Sequence, residues 1–428
     1  MRRARRPQHA VPTEDLELTI EEIGAQGDGI AHAGGDLVFV PYTLPGDRVQ
    51  ARRIGPNHAL PHAWIAREHV PNPSRCSHFG TCGGCALQHL DDESYAAWKV
   101  RQLEAALARR GFASTKIEPL VRARPMERRR AEFGAIRTQA QTIIGFHAYR
   151  SGTLVDMHDC AVMAPDIVAL LPPLRAFLHD VLPPSRIADV LVTRTESGLD
   201  LLVSRLSAPD RRQREAVANF AAAHDLARIA WREKTEAPET LIQRRVPQMS
   251  FGDVPVDLPA GAFLQATKSG EDAIVSPTIA GIEGAKRVVD LFAGCGTLSF
   301  PLSAHARVHA VEGAKDLSEA LDAAARRSNR AGRVSVEMRD LERRSLLADE
   351  LNSFDAVVFD PPRDGAAAQS AEIARSKVRK VVGVSCNPAT FARDARILVD
   401  AGFRLLRVTP IDQFLWAPHL ELVGVFER

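Results

Sequence analysis

From about Lys286 onward, short apolar runs alternate with amphipathic segments, and this alternation constrains the fold more than any other feature of the chain. Strands read at residues 287–292, 308–312, 334–337, 356–360 and 378–385, with helical segments between them. Strands joined by helices pair in parallel, and the helices cover both faces of the sheet they form. A doubly wound, Rossmann-like α/β domain is therefore expected over residues 261–428. Its tail at 403–410 and 420–426 can add a terminal hairpin.

The turn after the first strand reads Asp290-Leu291-Phe292-Ala293-Gly294-Cys295-Gly296-Thr297. Gly294 and Gly296 let a ligand approach the backbone where such sheets bind nucleotides. Glu312, ending the second strand, stands at the right remove to hold ribose hydroxyls. Ser299 occupies the place of the third glycine of a dinucleotide fingerprint, which argues for a ligand without a pyrophosphate. Asp340 and Asp360 follow the third and fourth strands and extend a row of carboxylates along the strand ends. Such groups bind hydroxyl and amino groups, or they cap helices. As a row they match the pocket of Rossmann-like methyltransferases that use S-adenosylmethionine.

Cys386 lies one strand further on, in Val-Gly-Val-Ser-Cys-Asn-Pro-Ala-Thr-Phe, where a strand gives way to a helix. Asn387 suits the N-cap and Pro388 the first helical position. A thiol beside a helix N-terminus is expected to fall from about 8.5 toward neutrality and to become a nucleophile. The alternative is a buried structural cysteine. Methyl transfer to oxygen or nitrogen needs no thiol, whereas transfer to a pyrimidine carbon does. Thiolate addition at C6 makes an enolate whose C5 can attack a sulfonium methyl, and a base must then remove the C5 proton. Glu421, near the C-terminus, is the candidate base; the bland reading is a solvated glutamate on a terminal strand.

The 428 residues suffice for two or three domains, with 45% hydrophobic and 25% charged side chains. No apolar run is long enough for a bilayer, and the basic N-terminus lacks an apolar signal core, so a cytoplasmic protein with no membrane partner is expected. A net charge of +2 is too small to name a polyanion partner, but Arg2-Arg3, Arg5-Arg6 and Arg128-Arg129-Arg130 are local basic clusters. Residues 1–12 read as a disordered basic tail. Residues 13–70 hold short strands with glycine turns, at 16–20, 29–31, 37–40, 48–52 and 63–66, as in small barrels that bind nucleic acid or serve only a structural role. Residues 71–260 are expected to form a mixed central domain, in which a proline linker and a cysteine loop precede a helix near 91–110 that can pack on the catalytic domain. They carry Cys76, Cys82 and Cys85 on a glycine-rich loop, with Cys160 the remaining cysteine of the region. Three close thiols and one remote one suit a cubane cluster better than zinc, whose ligands usually come as two close pairs, the alternative being unligated thiols.

Together, the Ser-Cys-Asn-Pro run, the Asp-Leu-Phe-Ala-Gly-Cys-Gly turn and the cysteine loop resemble the RNA uracil-5 methyltransferase family. The likeness is to its iron-sulfur branch, which acts on ribosomal RNA, and it covers about Leu16 to Glu421. The resemblance implies Cys386 as nucleophile and Glu421 as proton-removing base. It implies Gln265, Phe292, Gly294, Gly296, Thr297, Glu312, Asp340 and Asp360 around S-adenosylmethionine, with Asp360 also facing the uracil. Phe263 resembles an aromatic that stacks on the target base, its alternative being a core phenylalanine. A 4Fe-4S cluster on Cys76, Cys82, Cys85 and Cys160 is implied in preference to zinc, and the N-terminal barrel resembles the TRAM module. The substrate implied is 23S ribosomal RNA, with transfer RNA or a non-catalytic assembly role as alternatives, and the enzyme is expected to be a monomer. Two departures stand out: Thr297 where relatives often carry asparagine, and Phe414-Leu415-Trp416-Ala417-Pro418 in place of a Phe-Pro-x-Thr approach to His419.

A uridine must leave its stack to meet a thiol in a pocket. The barrel, the Arg128-Arg129-Arg130 run and the central domain are expected to hold the flanking backbone. RNA affinity should then fall between about 50 and 200 mM salt, with a log–log slope of roughly one per phosphate held. Titrations that superimpose across that range would remove the phosphates from these surfaces.

Overall fold

A computed structural model describes residues 14–233 and 236–428. The basic run Arg2–Arg6 lies outside the described residues. Contacts divide the chain into two units, one reaching to Trp98 and including Trp416–Pro418, the other comprising Lys99–Leu415 and His419–Arg428.

The first unit holds a six-stranded sheet among the described residues, in the order Asp15–Thr19, Arg48–Gly55, His58–Ala66, Asp36–Val40, Gly29–Ala33, Glu22–Ile23. Alternation builds it: in Arg48–Gly55, Val49 and Ala51 turn inward onto Leu18, Ile20, Val38 and Val40, while Arg48 and Gln50 face water. Gly29 is obligatory, because a Cβ there would stand 2.1 Å from Thr43 Oγ1. The short pair Glu22–Ile23 escaped the sequence reading, since two residues carry no periodicity. The loop bearing Cys76, Cys82 and Cys85 belongs to this unit. Just after it, the amides of Ala86 and Leu87 both donate to the Trp416 carbonyl, at 2.8 and 3.0 Å. The Trp416 amide in turn donates to the Tyr95 hydroxyl at 2.8 Å.

The second unit contains two sheets that matter here. Seven strands, from Leu154–Asp156 at one edge to Glu239–Gln243 at the other, form a mostly antiparallel sheet around Arg130–Arg137 and Ile187–Thr195. Helices Pro165–Val181 and Arg211–Ala223 accompany it, and Phe177 stacks on Phe220 at 4.4 Å.

The other sheet is the expected doubly wound one. Five parallel strands run in the order Val334–Met338, Arg307–Glu312, Arg287–Leu291, Ala356–Phe359, Lys380–Ser385. The antiparallel hairpin Arg404–Asp412 and Glu421–Glu427 extends it, as the tail pattern suggested, and the short strands Lys116–Ile117 and Val121–Arg122 pair with its outer member. Successive side chains enter opposite cores. Val289, Leu291, Val357, Phe359 and Val381 pack with Phe391 and Leu398, whereas Val288, Val308, Val358 and Val382 pack with Ile274 and Leu302. Hence the inner strands Arg287–Leu291, Ala356–Phe359 and Lys380–Ser385 read as nearly continuous apolar runs, whereas the edge strand Val334–Met338 alternates.

Gly383 and Gly424 are register partners on the first of these faces. A Cβ on Gly424 would lie 2.2 Å from the Phe391 ring, and one on Gly383 would lie 2.8 Å from the Phe359 ring. The two glycines make room for both rings over the strand that delivers Glu421. Gly424→Ala should therefore destabilise the protein by about 1–3 kcal/mol through overpacking. The check is a lowered midpoint in thermal unfolding; an unshifted midpoint would contradict the ring packing.

Candidate active site

The carboxyl ends of the parallel strands surround a cavity of about 340 Å³. Phe263, Gln265, Phe292, Gly294, Thr297, Asp360, Cys386 and Glu421 line it, so eight residues singled out in the sequence meet there. Pro361, Pro362 and Arg363 complete one wall.

The glycine turn is built as expected. Phe292, Gly294 and Gly296 have φ of 61°, 56° and 97°, and a Cβ on Gly296 would meet the Phe300 ring at 2.5 Å. Glu312 closes the turn, its carboxylate accepting the Gly294 amide at 2.8 Å and the Ala314 amide at 2.7 Å. Asp340 is not in the cavity wall. It is exposed and accepts the Glu342 and Arg343 amides at 3.1 and 3.3 Å within a turn.

Asp290 also lines the cavity, and the sequence reading passed over it as a site residue although it opens the turn motif. Buried at the end of its strand, it accepts the Ser299 hydroxyl at 2.6 Å on one oxygen, while the other has no partner. Burial, then the charges of Asp360 and Glu312, push this carboxyl up to about 7. Ser299, standing where a dinucleotide fingerprint has glycine, thus gives a buried acid a hydroxyl donor that a glycine would lack.

Gln265 and Gln413 form a buried amide pair. Gln413 Nε2 donates to Gln265 Oε1 at 2.7 Å, Gln413 Oε1 accepts the Ala266 amide at 2.8 Å, and Gln265 Nε2 donates to Asp360 at 3.2 Å. Behind them, Arg129 Nε donates to the Gln265 carbonyl at 2.9 Å and its guanidinium pairs with Glu271 at 2.5 Å, both side chains being buried. Within the Arg128-Arg129-Arg130 run, Arg129 is therefore withdrawn from any phosphate into a core ion pair. Arg128 and Arg130 lie over the rings of Phe414 and Phe263, at 5.7 and 5.8 Å. Phe263 itself is 60% exposed, so the core-phenylalanine alternative fails.

Cys386 follows the strand Lys380–Ser385, and Asn387 caps the helix Pro388–Asp400 as the sequence implied, accepting the Ala389 amide at 3.0 Å. Asn387 and Thr390 both donate to the Arg363 carbonyl at 3.2 Å, which ties the cysteine loop to the Asp360–Arg363 loop. Glu421 opens the last strand, only 4% exposed, opposite Ile411. Lys99, wholly buried, pairs with Asp412 at 3.0 Å and also donates to the His419 carbonyl, fixing both ends of the segment before Glu421.

The electrostatics overturn one expectation. The Cys386 thiol is pushed up to about 11, not down toward neutrality. Burial is the largest cause, followed by the negative charges of Glu421 and Asp360; Arg363 and a backbone amide oppose them but do not prevail. The helix terminus is offset by two carboxylates that share the cavity. The same crowding raises both acids: burial, then Asp360, lifts Glu421, and burial lifts Asp360. Cys295, the other thiol in the wall, is pushed up to about 12 by burial.

Of the four cysteines assigned to a cluster, Cys82 is buried and accepts the Gly84 amide at 3.4 Å, while Cys76, Cys85 and Cys160 are half-buried. None of the four forms a disulfide. Among the described residues, no three His, Cys, Asp or Glu side chains are gathered closely enough to hold a metal. No helix among them is long and apolar enough to cross a membrane.

A thiol held near 11 gains thiolate only as pH climbs through that value. Alkylation of Cys386 by iodoacetamide, followed on its own peptide by mass spectrometry, should thus keep accelerating beyond about pH 9. Glu421→Gln removes one neighbouring charge and should speed the reaction at pH 8 by about threefold to tenfold. A wild-type rate that levels off below pH 8 would mean that the thiolate is already formed.

Comparison with known proteins agrees with this geometry. Residues 273–428 match the tRNA (Uracil-5-)-methyltransferase family and residues 13–52 match the TRAM domain. An RNA methyltransferase of Caulobacter vibrioides is 44% identical over 426 residues, covering 96% of this chain and 100% of that protein. The 23S rRNA (uracil(1939)-C(5))-methyltransferase of Chromohalobacter salexigens is 34% identical, covering 96% of this chain and 89% of that one. The structure of Pyrococcus abyssi tRNA (uracil-54, C5)-methyltransferase in complex with S-adenosyl-L-homocysteine superposes with a TM-score of 0.73 at 19% identity, covering 96% of this chain and 100% of that one. With its TRAM domain and its methyltransferase fold, the chain belongs to the RNA (uracil-5-)-methyltransferase family.

Proposed function

We propose that this enzyme methylates C5 of a uridine in 23S ribosomal RNA through a covalent bond between Cys386 and C6 of the base. One observation carries the proposal: Cys386, Asp360 and Glu421 line a single cavity that also contains the glycine turn and the exposed Phe263. The similarity to a protein named for a 23S rRNA uracil favours ribosomal RNA as substrate.

S-adenosylmethionine, as the second substrate, supplies an electrophilic methyl on a sulfonium. Gln265, Phe292, Gly294, Gly296, Thr297, Glu312 and Asp340 are proposed to hold it. Glu312 and Asp340 each accept two amides, and carboxylate oxygens have lone pairs left for hydroxyls. Phe263 offers its exposed ring as a stacking platform for the flipped base.

Cys386 loses its proton as its sulfur bonds to C6, and the Asp360–Glu421 pair takes that proton. C5, now nucleophilic, accepts the methyl group. Glu421 then removes the C5 proton, the S–C6 bond breaks and the thiolate regains a proton. The net yield is 5-methyluridine, S-adenosylhomocysteine and one proton. A carboxylate raised by burial and by a like charge holds protons better than an ordinary glutamate, which suits this base near neutral pH.

Cys76, Cys82, Cys85 and Cys160 are proposed to carry a 4Fe-4S cluster. Four thiols outside any disulfide match its donor chemistry, and the Gly84 amide is the kind of hydrogen bond that tunes a ligating sulfur. No step of the reaction uses it.

With Glu421→Gln the C5 proton stays, so the thiol cannot leave. Turnover should drop by about 10²–10⁴-fold, and a protein–RNA adduct should survive denaturing electrophoresis. Cys386→Ala should give no adduct and no methyl transfer. Methylation by that variant at the wild-type rate would end the covalent mechanism.

A further inference from the structure

The parallel strands begin at the edge opposite the catalytic cavity, and the side chains there are cationic. Arg287 and Arg307 are register partners at the first positions of their strands, and Arg333 directly precedes Val334–Met338. With His309, Ser335 and Phe354 they line a cavity of about 500 Å³ whose wall contains no carboxylate. Among the described residues none of these three guanidinium groups has an ion-pair partner, and Arg287 and Arg307 are exposed. The carboxylates nearby are engaged elsewhere. Glu337 contacts His309 Nε2 at 3.2 Å, and Asp355 accepts the amides of Lys286 and Arg287 at 2.8 and 2.9 Å.

The wall also offers ring surface. The Arg287 guanidinium sits 5.6 Å from the Phe354 ring centroid, and the His309 ring stacks on Phe354 at 5.8 Å with planes 16° apart. A neighbouring cavity, sharing Phe354, is lined by Lys286, Lys377, Arg379 and Lys380 against only Glu283 and Asp355. Unpaired cations around a concave wall concentrate positive potential, and cations interleaved with rings suit a phosphodiester chain carrying bases. The sheet is thus polarised, with Asp290, Asp360 and Glu421 at its catalytic edge and arginines at the other.

We propose that this opposite edge binds the phosphate backbone of a second segment of the RNA substrate, remote from the reacting uridine. The five-residue strand Arg287–Leu291 rises about 16 Å, so a short loop held in the active site does not reach the arginines but a folded RNA can. The proposal rests on RNA being the substrate, and the test separates the two.

Arg287→Ala, Arg307→Ala and Arg333→Ala are combined and compared with wild type on full-length 23S rRNA and on the shortest fragment that wild type still methylates. Unchanged thermal stability and S-adenosylhomocysteine affinity establish that the variant is folded; if it melts early, the three single Arg→Gln exchanges replace it. On the long RNA, KM should rise roughly tenfold with kcat unchanged, and the log–log salt slope of binding should shrink by about 2–3. On the short fragment both parameters should match wild type. Equal KM and equal salt slope on the long RNA would overturn the proposal and leave the edge to an acidic protein partner. A wild type that methylates neither RNA would overturn the proposed function instead, and the salt slope of long-RNA binding would still decide for or against this surface.

Discussion

Burying like charges side by side is the constraint on which this site depends. Asp360 and Glu421 share one cavity with Cys386, and Asp290 lies in the same wall. Each negative charge raises the proton affinity of the next, and withdrawal from water raises all of them. Such a cluster persists only if neighbours hold its members in place. The Gln265–Gln413 pair, the Ser299 hydroxyl and Arg363 do so from four different segments of the chain. Behind these, Arg129–Glu271 and Lys99–Asp412 are buried ion pairs that anchor the backbone of the same segments. A buried pair adds little net stability, but loss of one partner strands a charge, so each fixes its geometry firmly.

Much of the catalytic domain could be read from the chain alone, because its strands are short apolar runs punctuated by glycine, proline and capping residues. The turn at Gly294 and Gly296, the N-cap at Asn387 and the terminal hairpin are local signals, and each appears where the sequence put it. What escaped was non-local. Nothing in the run Arg128-Arg129-Arg130 announces that its middle member faces Glu271, more than a hundred positions away. The ionisation of Cys386 was misjudged for the same reason. Its helix terminus is written next to it, whereas the opposing carboxylates arrive from Asp360 and from Glu421. Asp290 was missed as a site residue because a buried strand-end aspartate reads as structural until its unpartnered oxygen is seen.

The mixed sheet around Ile187–Thr195 was the least legible region, and its topology explains why. Its central pairing joins strands far apart in sequence, Arg130–Arg137 with Ile187–Thr195, and the hairpin Ile187–Thr195 and Gly198–Leu206 is one of several local pairings beside it. That hairpin was also the part whose β character stood out in the sequence. Arg130, which begins the shared strand, lies over the exposed Phe263, so this sheet contributes directly to the mouth of the catalytic cavity.

The raised thiol has a consequence for life in an oxidising moment. Peroxides attack thiolates, and a sulfur that stays protonated offers them little. With its thiol pushed up by burial and by Glu421 and Asp360, Cys386 is therefore a poor target for them, as is Cys295 in the same wall, whose thiol burial raises further. The acids that crowd this cavity thus also shield its sulfur from oxidation.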